Sequence, residues 1–103
     1  MKKIPAKKII HLKSIFSKAL GVMFKNNINN EAYVFHFNKS QIISIHMFFV
    51  FFPIDVILLD ENKKIIEKKT LNPWQLFTSK NICKYVIEIS PNNNLKINDV
   101  VLF

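Results

Sequence analysis

Apolar and polar positions along the chain fall into short blocks divided by polar turns, and most blocks alternate with the period of a strand. Residues 7–12 read as a first short strand. Ser14 is placed to cap a short helix over 15–20, whose apolar face is Ile15, Phe16, Ala19 and Leu20. Gly21, the only glycine, sits where a left-handed residue would close that helix. Residues 25–31, with four asparagines, read as a polar loop. Residues 32–37 then set Tyr33, Phe35 and Phe37 against Ala32, Val34 and His36 on opposite faces of a strand. A polar turn at 60–63 leads into a strand over 64–71. Residues 83–89 alternate most clearly, with Cys83, Tyr85, Ile87 and Ile89 predicted inward and Lys84, Val86 and Glu88 outward. Pro91 and the asparagines at 92–94 break the chain before a last strand over 99–103.

The longest apolar run, residues 42–60, decides the class of protein. It is almost long enough to cross a bilayer, which takes about 20 apolar residues. His46, Pro53 and Asp55 interrupt it, and an aspartate near the centre of a spanning helix costs roughly 3 kcal/mol. Proline would also remove a helix hydrogen bond. Ile, Val and Phe dominate the run and suit a pleated surface, so the pattern predicts two buried strands, 42–50 and 54–59, and no membrane span. The expected fold is mainly β, α+β at the margin. It is a small antiparallel β-sandwich or barrel-like domain with one short N-terminal helix, built as a single domain over 1–103.

Half of the residues are hydrophobic, which excludes disorder. The formal charge is +8, and every cationic side chain is lysine. Phosphate and base recognition lean on the bidentate fork of arginine, so nucleic acid is a possible partner but not the favoured one. Cys83 is the only cysteine, which leaves no intramolecular disulfide and no thiolate cluster. Lysines at 7, 8, 13 and 18 interrupt any signal-peptide core. The acceptor pattern Asn38-Lys39-Ser40 is therefore set aside, and a cytoplasmic location is expected.

Candidate chemistry is sparse. Asp55 lies in an apolar strand and must be paired if buried; a structural acceptor of backbone N–H groups beside Pro53 competes there with a general base. A hairpin-like return at Pro53 could bring His46 beside it as an acid–base pair. His11, His36 and His46 lack the three- or four-residue spacing of paired metal ligands, so no metal and no cofactor are expected. A single glycine allows no phosphate loop, and no serine has a nucleophile-elbow context. Trp74, beside Pro73, is either an anchor for a partner or a cap on the core. The candidate binding set is Trp74, His46, Asp55 and Met47.

Several segments resemble one family in the right order. Residues 14–25, Ser-Ile-Phe-Ser-Lys-Ala-Leu-Gly-Val-Met-Phe-Lys, look like the helix and Gly-Leu-Met-Phe-Arg signature of the DUF192 family. Residues 46–60 are similar to its central Met and Pro-Leu-Asp motif. Pro73-Trp74, residues 84–88 and Ile97-Asn98-Asp99-Val100 resemble its Pro-Trp element, its Tyr-Val-Leu-Glu strand and its closing Gly-Asp-x-Val. The chain departs from the pattern where Phe49 and Val50 replace an Asn-Thr pair, Lys25 replaces an arginine and Asn98 replaces a glycine. The resemblance implies a small, mainly β domain whose activity is not established. The leading function is a non-catalytic module that binds a ligand or protein. An enzyme using Asp55 and His46, or a weak nucleic-acid binder with a lysine-rich surface, are the alternatives.

Overall fold

A computed structural model describes residues 1–13, 25 and 27–103. Among them the strands are β1 (Lys2–Lys3), β2 (Lys8–Leu12), β3 (Glu31–Gln41), β4 (Ser44–His46), β5 (Ile54–Leu59), β6 (Ile65–Leu71), β7 (Leu76–Thr78), β8 (Cys83–Ile89) and β9 (Val101–Leu102). The described residues contain no helix, and none of them forms a helix long and apolar enough to cross a membrane. The helix expected over 15–20, its Ser14 cap and the Gly21 closure lie outside the described residues.

Five strands form one sheet in the order β2-β3-β8-β5-β6. Strands β3, β8, β5 and β6 pair antiparallel, whereas β2 joins β3 in parallel. The expected all-antiparallel sandwich or barrel is therefore corrected to an open, mixed sheet. Residues 13–30 separate β2 from β3, enough chain for the crossover of about a dozen residues that a parallel pair requires. Two smaller pieces flank this sheet, the antiparallel pair β4–β7 and the parallel pair β1–β9.

Each face of the sheet buries its own core. On one face Tyr33, Phe35, Val56, Leu58 and Val86 pack with Ile43, Met47 and Val50 from the β4 region. On the other, Val34, Ile57, Leu59 and Ile87 pack with Ile4, Leu95 and Val101 from the terminal segments. Every residue of β5 is buried, as expected for a strand paired on both sides and covered on both faces. For the same reason the predicted outward row of β8 is wrong in part. Val86 and Glu88 are buried too, because β8 lies between β3 and β5.

The strand expected over 42–50 shrinks to Ser44–His46. At Met47 the chain turns, with the Val50 N–H donating to the Met47 carbonyl at 3.2 Å and Phe49 at φ 59°. The last strand likewise shortens to Val101–Leu102, because Asn98 takes φ 76° in the turn before it. Asparagine tolerates that left-handed region, which explains how it replaces the family glycine.

Candidate functional site

Two β-turns lie side by side at the end of the β4–β7 ladder. In residues 47–50 the third position is Phe49; in residues 72–75, closed by a Gln75 N–H to Asn72 carbonyl bond of 3.2 Å, it is Trp74 at φ 69°. A positive φ at the third position is the mark of a type II turn, where Gly or Asn is the ordinary occupant and Pro is favoured just before it. Pro73 obeys that rule; Phe49 and Trp74 break it. The left-handed conformation costs a residue with a Cβ about 1–2 kcal/mol. The Met47 backbone locks the turns together: its N–H donates to the Gln75 carbonyl at 2.8 Å, and its carbonyl accepts from the Trp74 N–H at 2.9 Å.

These turns present aromatic rings to solvent. Phe48 is 41% exposed, Phe49 44%, Phe51 59% and Trp74 51%. The Trp74 ring lies 6.0 Å from Phe48, 5.1 Å from Phe49 and 6.5 Å from Phe51, all within the range of aromatic pairing. His46 extends the group, its ring 4.8 Å from that of Phe48, and Leu76, 72% exposed, stands opposite His46 in the ladder. Residues 46–51 and 72–76 carry no lysine, aspartate or glutamate. The surface is apolar, and its cost in backbone strain is borne by the residues that display it.

The candidate residues separate into different environments. Asp55 is buried, and its partners are side chains rather than the backbone N–H groups expected near Pro53. Thr70 Oγ1 donates to Oδ1 at 2.5 Å, Asn93 Nδ2 donates to Oδ2 at 2.8 Å, and Lys68 Nζ lies 3.7 Å from Oδ2. Lys68 also donates to Asn93 Oδ1 and to the Leu95 carbonyl. This network fastens the 90–95 loop to β5 and β6. His46 is half-buried, and its Nδ1 accepts the Phe48 N–H at 3.3 Å. No hydrogen bond or ion pair joins Asp55 to His46 among the described residues. The structure does not assemble them into an acid–base pair. Met47 buries its side chain completely and acts as the hub of the turns.

Two further features were not anticipated. Glu88 is only 4% exposed, and its Oε1 has no hydrogen-bond partner among the described residues. Burial pushes its pKa up to about 8, which leaves it neutral at pH 7. Elsewhere, an open cleft of about 650 Å³ is lined by Asn29, Asn30, Ser90, Asn92, Asn93 and Asn94. Asn93 is already committed to Asp55 and Lys68, and the cleft is wide open to solvent, so it holds no convergent polar set.

Fold and surface together define a small, mainly β domain that displays aromatic side chains. The sequence profile of the DUF192 family, described as an uncharacterized ACR, matches residues 7–98, and the chain belongs to that family. It is 36% identical over 75 residues to a UPF0127 protein of Pyrococcus horikoshii, covering 73% of this chain and 65% of that one. The chain thus spans less than two thirds of the length of that relative. In fold it resembles a Novosphingobium aromaticivorans protein of unknown function (TM-score 0.75, 17% identity, covering 82% of this chain and 63% of that one). A Sinorhizobium meliloti protein provisionally described as a transcription regulator is also similar (TM-score 0.74, 15% identity, covering 80% and 67%). At such identities the likeness is one of fold alone.

Proposed function

We propose that this domain is a non-catalytic binding module that docks a protein partner through Phe48, Phe49, Phe51 and Trp74. The observation that carries the reading is the pair of turns that hold Phe49 and Trp74 in the left-handed region while leaving both rings about half exposed. Strain at a bulky residue is kept only where the surrounding structure enforces it, and such residues cluster at functional sites: active sites, ligand clamps and switch regions. A protein suits this surface better than a small molecule. Small ligands are buried in concave sites, whereas exposed aromatic anchors grouped at one place are the pattern of a protein interface.

The alternatives find less support. An enzyme built on Asp55 and His46 needs both groups free and adjacent, and each is held by other partners. A nucleic-acid surface needs lysines interleaved with the aromatics, and the platform segments have none. To test the proposal, a photoreactive amino acid is placed at position 74, at position 49 or at the exposed position 69 of the chain in its producing cells. The reading requires one protein to be trapped from 74 and 49 and not from 69. Equal trapping from 69, or none from 74, would rule the platform out.

A further inference from the structure

The parallel pairing of β2 and β3 brings together two histidines that are 25 residues apart in sequence. His11 pairs with Val34, so His36 lies two residues further along β3 on the same face of the sheet. The Nδ1 of His11 and the Nε2 of His36 are 2.8 Å apart, and the rings tilt by 45°. Tyr85 and Phe103 wall the inner side, with ring centroids 5.4 and 5.9 Å from that of His36. His11 is exposed on the other side.

We propose that His11 and His36 form a two-imidazole site for a divalent late transition metal, copper(II) or nickel(II). Metal–imidazole bonds are about 2.0 Å long, and two nitrogens 2.8 Å apart then subtend about 90° at the metal. That is the angle between neighbouring ligands in the tetragonal geometry copper(II) and nickel(II) adopt. A tetrahedral zinc ion would need the nitrogens roughly 3.3 Å apart at the same bond length, a wider spacing than this pair offers. Both nitrogens must present lone pairs, so the proton shared in the N–H···N contact moves to the far nitrogen of its own ring. Neither far nitrogen, His11 Nε2 or His36 Nδ1, has a protein hydrogen bond among the described residues, so either is free to carry that proton. Water completes the coordination on the exposed side.

Lys63 acts against the ion. Its ammonium lies 4.4 Å from the centre of the Phe103 ring and 5.7 Å from that of Tyr85, the two rings packed against His36, and its charge, like that of Lys13, bears on His36. Replacing it with an uncharged residue removes this repulsion and tightens binding. A third histidine, His46, lies in the β4–β7 piece and takes no part.

The test is a titration of the whole chain with copper(II), followed by calorimetry and by electron paramagnetic resonance, and repeated with nickel(II) and zinc(II). The wild-type chain and His46→Ala bind one copper ion with nitrogen hyperfine structure from two imidazoles. Lys63→Met binds more tightly, and zinc binds more weakly than copper. Removing an outer partner of a metal ligand costs about 10–100-fold in affinity, so His11→Ala and His36→Ala, which delete a ligand, lose at least that much. Thermal melts confirm that the partly exposed positions leave the fold intact. The inference is overturned if His36→Ala binds as tightly as wild type. It is equally overturned if wild type and the double variant give the same spectrum, which would make the 2.8 Å contact a hydrogen bond only.

Discussion

Replacing Glu88 with glutamine should flatten the pH dependence of stability. The carboxyl points to the face of the sheet that holds Val86, flanked in the ladder by Tyr33 on β3 and Val56 on β5. Its Oε1 has no partner among the described residues, and the Tyr33 hydroxyl is directed to Glu31 at 3.4 Å. Desolvation raises the pKa from 4.5 to about 8. Below pH 4.5 the folded and unfolded chains are both protonated at this position, and the full stability is present. Between 4.5 and 8 the unfolded chain ionises while the folded one stays neutral, so stability falls by about 1.4 kcal/mol per pH unit. Across the whole window the loss reaches on the order of 5 kcal/mol, an amount comparable with the entire stability of a marginal domain. Glutamine carries no proton to lose, and any cost of its buried amide is the same at every pH. Urea unfolding at pH 5, 6, 7 and 8 measures the difference. The variant should gain steadily on the wild type as pH rises, by several kcal/mol between pH 5 and 8. Parallel stability curves, or a Glu88 carboxyl that titrates near 4.5 by carbon NMR, would refute the argument from burial.

Further outcomes follow from the Asp55 network and the twin turns. Asp55→Ala removes the acceptor of the Thr70 hydroxyl and one acceptor of the Asn93 amide, and takes the counter-charge from Lys68; a buried group stripped of its partner costs about 1–3 kcal/mol, so chemical denaturation should show a loss of that size, with strong non-additivity when Asn93→Ala is combined with it. His46→Ala should add independently to Asp55→Ala, and coupling between those two would revive the acid–base pair. At positions 49 and 74 a glycine variant should be more stable than the alanine variant by about 1 kcal/mol, because only glycine relieves the left-handed strain. The reverse order in thermal melts would mean that the turns are not strained.

What could be read from the sequence divides along physical lines. β5, β6 and β8 were legible because each is an apolar or alternating block bounded by polar turn residues such as Asp60–Lys63 and Pro91–Asn94. Strand order was less so. The parallel partnership of β2 with β3 depends on a crossover, which local periodicity does not encode, and it hid the meeting of His11 with His36. The turn at 47–50 was invisible because its left-handed position is filled by Phe49, where the turn code asks for glycine or asparagine. Phe48 and Phe49 accordingly fall within the strand expected over 42–50, Phe51 lies in the gap before Pro53, and of the platform only Trp74 stands out in the sequence, by its solitary place after Pro73. Asp55 was recognisable as a carboxylate in need of a partner. Its actual partners could not be, since Thr70, Lys68 and Asn93 reach it from a neighbouring strand and a distant loop. Glu88 shows the limit of alternation: on a central strand covered on both faces, the pattern no longer marks an outside.

The central claim is that the aromatic platform serves binding and contributes little to the fold. It is tested most directly by measuring Trp74→Gly twice, once for its melting temperature alone and once for its affinity toward the protein trapped from position 74. A buried tryptophan costs about 3–5 kcal/mol when truncated, whereas relief of backbone strain here should keep the loss below roughly 1 kcal/mol. Affinity should fall on the order of 30-fold or more, the ratio that corresponds to a 2 kcal/mol anchor residue. A variant that melts far below the wild type and yet binds its partner unchanged would contradict the account.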